Sequence, residues 1–366
     1  MINKRRLVST FKKLVRIDSL SYKEGKIVKY LSKELRAMGF KPYLAGKPIE
    51  GEIGNLVVDI PGKRPRLILN AHVDTVAPGK NIKPVERSGK IYSNGTTVLG
   101  ADDKTGVAVI LEVLRTIKEK KLPRPAIRVI FTVAEEVGLF GAKALPKRVM
   151  SADLGITLDH GPVKTIIHKA PAQQNITATV MGRAAHAGIH PEKGINAIKI
   201  ASAAIASMKF GRIDYETTSN IGVIKGGRAT NIVPDRVEIK GEARSHDPRK
   251  LKKQVEHMQK VLARTCARHR ARLKLKISRV YGAFEVKPSS QVVQLALAAV
   301  RKTGLRPELI RTGGGSDANI FNSAGVPTLI MGVGMHRVHT HKEYALIREM
   351  VKGAEAVLNM VEGCAQ

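Results

Sequence analysis

Apolar, strand-like runs that deliver imidazole or carboxylate side chains at their ends constrain this 366-residue chain more than any other feature. His72-Val73-Asp74 follows the run at 66–70, Glu135-Glu136 follows 126–133, and Asp159 follows 155–158. Asp102-Asp103 precedes a Val-, Ile- and Leu-rich helical segment at 104–119, and His339 lies beyond the run at 326–331. Strand ends are where an α/β protein gathers a site. Two imidazoles with three or more carboxylates suit a pair of zinc-like ions. The pattern predicts a two-metal hydrolase.

From residue 4 to about 171, helical stripes alternate with buried strands. Residues 25–38 place Ile27, Val28, Leu31, Leu35 and Met38 on one helical face, and 55–60 and 66–70 read as strands. Such alternation predicts a mixed or parallel sheet covered on both faces. From about 172 the pattern changes to strand 175–181, helix 195–208, strands 220–225 and 236–243, helix 248–269 and strand 272–281. This β-α-β-β-α-β order predicts an open-faced sandwich inserted into the larger domain. After Phe284 the first pattern resumes, with helices 289–303 and 346–360 around the strand 326–331. The expected division is a discontinuous domain of residues 1–171 and 284–366, with an insertion at 172–283.

No run approaches the ~18 apolar residues of a membrane span. The basic start, Met1 to Arg6, lacks the apolar stretch of a secretory signal. A mitochondrial presequence competes there with a helical stripe of Leu7, Phe11, Leu14, Val15 and Ile17. Cys266 and Cys364 lack CxxC spacing and give no disulfide framework, so the cytoplasm is the default. The net charge of +32 is unusual for an enzyme. Arg270, Arg272, Lys274 and Lys276 alternate with Ala271, Leu273, Leu275 and Ile277, giving a strand with one basic face. That face is either solvated or a surface for nucleic acid or anionic lipid. With 4% aromatic residues and no tryptophan, base-stacking platforms are scarce.

The five islands, with Gly100-Ala101-Asp102-Asp103-Lys104-Thr105-Gly106 and Gly182-Arg183-Ala184-Ala185-His186-Ala187-Gly188, resemble the co-catalytic zinc peptidase superfamily of peptidase T, glutamate carboxypeptidase and aminoacylase. The likeness is nearest to peptidase T-like members and covers nearly the whole chain. It implies an α/β fold, a mixed-sheet zinc-peptidase domain with an inserted β-α-β-β-α-β lid and dimerisation domain. It implies two Zn2+, or Co2+ or Mn2+ in their place, held by His72, Asp102, Glu136, Asp159 and His339. Asp102 would be shared by both ions and followed by a cis peptide, while Asp103 suits a helix N-cap. Strand alternation puts Asp74 beside His72, where it would fix the imidazole tautomer. Glu135 would be the general base. His341 competes with His339, whose spacing to Glu343 matches the superfamily pattern.

Within the insertion the resemblance assigns His186 to the oxyanion at a partner subunit's site. Asn231 and Arg244 match substrate-holding positions, Arg244 being suited to a carboxylate. Gly314 and Gly315 offer backbone N–H groups at a helix start, as an anion cradle or as a plain glycine turn. The implied activity is that of a dinuclear zinc exopeptidase acting on short peptides, with a tripeptide aminopeptidase first. A carboxypeptidase or N-acyl-amino-acid deacylase is the alternative using the same chemistry. A basic nucleic-acid-binding protein on a peptidase fold is the alternative of another class. A homodimer through the lid and no membrane attachment complete the expectation.

Overall fold

The apolar runs become the interior of a mixed sheet. In the computed structural model, which describes residues 2–365, six of its strands lie in the order Tyr43–Ala45, Asn55–Ile60, Pro125–Thr132, Lys63–His72, Leu154–His160 and Thr328–Gly332. The last four run parallel, whereas Asn55–Ile60 joins antiparallel. Parallel strands need cover on both faces, and Leu67, Ile68, Leu69, Val129, Ile130 and Ile156 are accordingly buried. Parallel pairing also sends the C-terminal ends of these strands to one side, with His72 opposite Thr132 in register. The sequence's acids and imidazoles emerge there.

The helix Ala101–Lys120 packs on this sheet through a continuous buried face. Its regular turns start only after Asp103, because Asp102 and Asp103 have non-helical backbone angles, and the Asp102–Asp103 peptide is cis. The N-terminal stripe folds as the helix Lys4–Val15, with Leu7, Phe11, Leu14 and Val15 buried. Its Arg6 meets Glu112 of the central helix at 2.7 Å. Val85–Arg87, Lys90–Tyr92, Met335–His336 and Tyr344–Leu346 form a small antiparallel sheet. Runs of two or three residues carry no readable periodicity, so the sequence does not predict it. This sheet anchors the 337–343 loop, where His339 adopts a left-handed φ of 62°.

The chain divides into two units: Met1–His168 with Glu285–Arg311 and Ser316–Gln366, and Lys169–Phe284 with Thr312–Gly315. In the second, an antiparallel sheet runs in the order Gly211–Arg212, Thr217–Gly226, Arg236–Ser245, Ala172–Met181 and Arg272–Tyr281. Helices Ala197–Ala206 and Pro248–Arg268 pack against it around one core. The element order is the expected one with a short strand, Gly211–Arg212, added. Arg272–Tyr281 lies at the sheet's edge, with Arg272, Lys274 and Lys276 exposed and Leu273, Leu275 and Ile277 against the core. Cations on an edge strand oppose edge-to-edge pairing, which gives the basic run a local physical role. Among the described residues, no helix is long and apolar enough to cross a membrane.

Candidate metal centre

The Asp102 carboxylate sits between two imidazoles. Its Oδ1 is 3.0 Å from His72 Nε2 and its Oδ2 is 3.2 Å from His339 Nε2. His339 Nε2 is also 3.0 Å from Glu136 Oε1. Ligand atoms of His72, Asp102 and Glu136 all lie within 4.8 Å of one another. His72 Nδ1 faces Asp74, 3.3 Å from Oδ1 and 3.2 Å from the carbonyl oxygen, which fixes the tautomer and leaves Nε2 for the centre. His341 turns to the Gly95 carbonyl at 3.0 Å, so His339 is the imidazole that meets Asp102 and Glu136. Asp159 is half-buried and outside the 4.8 Å group, yet burial and the Asp102 charge raise its carboxyl well above the usual range.

Four consecutive amides set the Glu135-Glu136 turn, and a side chain accepts each of them. Val133 donates to Asn55 Oδ1 at 3.1 Å and Ala134 to Glu24 Oε1 at 2.9 Å. Glu135 and Glu136 donate to the two Asp74 oxygens at 3.0 and 3.2 Å. On the other side of the centre, Glu343 accepts from the Leu99, Gly100 and Asp102 amides at 2.7, 2.9 and 3.0 Å. Asp103 caps its helix, accepting from Gly106 at 3.1 Å, and also holds the His72 amide at 3.2 Å. Buried carboxylates thus hold the backbone of three segments that carry the expected ligands. Glu24 and Asn55 hold this turn without being expected from the sequence, since neither sits in a local motif.

Burial opposes a charge on Asp102, yet the His339 and His72 imidazoles hold it below the carboxylate range. Hydrogen bonds to Asp102 and Glu136 push His339 up to about 10. Burial pulls His72 down, but Asp102 and Asp74 outweigh it and raise it well above the usual histidine value. Glu135 is buried, and its carboxyl makes no hydrogen bond among the described residues. Burial raises it well above the usual range, with Asp159, Asp317 and Glu136 adding to the rise and His72 opposing it.

The chain has 63 lysines and arginines against 31 acids. Even so, among the described residues none of these cations pairs with Asp102, Glu135, Glu136 or Asp159. Buried charge without a partner is costly. In so basic a protein, such a cluster fits cations supplied from outside, and imidazole nitrogens with carboxylate oxygens are a zinc-class donor set. Without metal, the His339 imidazole, raised to about 10, carries a proton at pH 7, whereas ligation needs it neutral. Zinc uptake at pH 7 is therefore expected to release about one proton or more per chain, with affinity rising as pH rises. Calorimetry in buffers of different ionisation enthalpy reads that number, and release near zero would contradict this geometry.

The other expected residues lie in the second unit. His186 is exposed, and the Gly188 amide donates to its Nδ1 at 3.2 Å, which places the ring proton on Nε2. Asn231 is exposed, with its carbonyl accepting from Ala187. Arg244 already has a carboxylate: Glu242 receives Nε at 2.8 Å and Nη2 at 3.0 Å. Residues two apart share a strand face, and that brings the pair together. At the glycine loop, Gly314 donates to Thr312 Oγ1 at 3.1 Å. Ser316 and Ala318 donate within the capping box of the helix Asp317–Ser323. Gly315 lies against Tyr281, where a Cβ would come within 2.2 Å of the ring. The Gly314, Ser316 and Ala318 amides are thus bonded within the turn itself.

Comparison with known proteins gives the cluster a context. The profile of Peptidase family M20/M25/M40 matches residues 68–363, a stretch containing all five islands. The chain belongs to this family. Among solved structures, a tripeptidase from Staphylococcus aureus shares 41% identity with this M20 peptidase at a TM-score of 0.95, covering 100% of this chain and 99% of that one. Aminopeptidase PepT from Bacillus cereus shares 40% identity at a TM-score of 0.89, covering 100% of both chains. The uncharacterized protein YqjE of Bacillus subtilis is 42% identical over 371 residues, again 100% of each. The peptidase T-like resemblance read from the islands and the family agree, and this M20 peptidase is a peptide hydrolase.

Proposed function

We propose that this M20 peptidase is a dinuclear-metal exopeptidase that releases the N-terminal residue of short peptides, tripeptides first. The observation that carries the reading is one carboxylate, Asp102, shared between His72 and His339 with Glu136 alongside. His72, Asp102 and Asp159 would hold one cation, and Asp102, Glu136 and His339 the other. Zinc is the first choice, with cobalt or manganese as alternatives. When bound, the pair supplies Lewis acidity toward the scissile carbonyl and lowers the pKa of water.

The rest falls to the chain's own groups. Asp74 keeps the His72 proton on Nδ1. Glu135, whose buried carboxyl makes no hydrogen bond among the described residues, accepts a proton from the attacking water and returns it to the departing amine. His186 presents an Nε2–H donor suited to a carbonyl oxygen as it gains charge. The Glu242 pairing on Arg244 means that a substrate carboxylate would compete with an internal one. This favours an aminopeptidase over a carboxypeptidase or an N-acyl-amino-acid deacylase, both of which act beside a free carboxylate. The tripeptidase and PepT likenesses support the same direction.

Trialanine, N-acetyl-trialanine and N-acetyl-alanine, each assayed with zinc and with a chelator, separate these readings. Trialanine is expected to lose its N-terminal alanine, the acetylated compounds to persist, and the chelator to abolish turnover. Preferred hydrolysis of N-acetyl-alanine would sink the aminopeptidase direction. A second copy docking through the inserted unit belongs to the same proposal, because Phe210, Ile213 and Tyr215 are exposed beside the short edge strand Gly211–Arg212. Sedimentation showing only monomer at micromolar concentration would remove it.

A further inference from the structure

We propose that Glu24 is a positioning residue for the general base, holding the peptide before Glu135 so that Glu135 and Glu136 leave the strand end in fixed, different directions. The proposal rests on the reading of Glu135 given above. Glu24 stands immediately before the helix Gly25–Ala37 but makes no side-chain bond to that helix's own amides. Its carboxylate turns away instead. Oε1 accepts from the Tyr22 amide at 2.8 Å and, across 110 residues of sequence, from the Ala134 amide at 2.9 Å. The residue is wholly buried, and Oε2 is buried without a partner.

Ala134 has a left-handed φ of 50°, a conformation that alanine adopts only when its surroundings impose it. What surrounds it is a set of individual bonds rather than a ladder. The amides on either side go to Asn55 and Asp74, and the Ala134 carbonyl accepts from Phe140 at 2.9 Å. Glu24 is the acceptor for the remaining amide. Removing it releases the peptide whose orientation aims both glutamates, while Asp74 still holds the Glu135 and Glu136 amides. The expected defect is therefore a misaimed base in a folded, metal-loaded protein.

The test is steady-state hydrolysis of trialanine by zinc-loaded wild type, Glu24→Ala, Glu24→Gln and Glu135→Gln, with a crystal structure of Glu24→Ala. A misplacement of about 1 Å costs on the order of 10²-fold in rate. Glu24→Ala is accordingly expected to lose ~10–100-fold in kcat with KM within about twofold, and Ala134 to leave the left-handed region. Glu24→Gln, which keeps an acceptor at Oε1, is expected to recover kcat to within about threefold of wild type. Wild-type kcat in Glu24→Ala, or a folded Glu24→Gln as impaired as Glu24→Ala, overturns the proposal. If Glu24→Ala does not fold, Glu24→Asp, one methylene short of Ala134, takes its place with the same expected kcat loss. Inactive wild type, or full activity in Glu135→Gln, instead refutes the assignment of Glu135. The Ala134 backbone angle in the crystal then still decides the positioning claim.

Discussion

Glu135→Gln is expected to lower kcat on trialanine by ~10²–10⁴-fold, the usual contribution of a positioned general base. KM and metal content should stay near wild type. Glutamine matches the shape of glutamate and keeps the buried site filled. It cannot take a proton from water and hand it to an amine. The structure predicts no folding penalty, because the Glu135 carboxyl makes no hydrogen bond among the described residues and its backbone amide remains with Asp74. Kinetics paired with a thermal melt check both halves. A loss smaller than about tenfold would move the proton transfer to another group.

Asp102→Ala should be equally severe for a different reason. Asp102 meets His72 through one oxygen and His339 through the other, so its loss disconnects both halves of the centre at once. Metal content after dialysis against dilute zinc is expected to fall from two ions per chain to less than one, with hydrolysis at the level of the chelated enzyme. His339 owes its rise to about 10 first to Asp102, so its titration should move down in the metal-free variant. Histidine proton shifts followed by NMR report that movement. Retention of two ions by Asp102→Ala would show that other side chains hold them.

The parts of this architecture visible in sequence share one property: local density. Glu135-Glu136 stands out because paired acids at the end of Ile130-Phe131-Thr132-Val133 have no reason to be there in a buried strand. His72 and Asp74 are legible because strand alternation puts them on one side. The inserted sandwich is legible because its helices and strands are long enough to show their periods. Glu24, Asn55 and the amide-holding role of Glu343 were not legible. Each acts on backbone from 78 to 244 residues away, and an acceptor for distant amides leaves no trace in its own neighbourhood. The pairing of Arg244 with Glu242 was readable in principle from the shared strand face. Glu242 stands two residues before Arg244, on the same side of the strand. At the glycine loop the sequence leaves a cradle and a plain turn open, and Ser316 and Asn319 close a capping box there.

Anomalous diffraction at the zinc edge, from crystals of the zinc-loaded protein, examines the central claim with the fewest intermediaries. Two peaks are expected, one at ligand distance from His72 Nε2 and one from His339 Nε2, with an Asp102 oxygen reaching each. A single peak, or peaks away from Asp102, would contradict it.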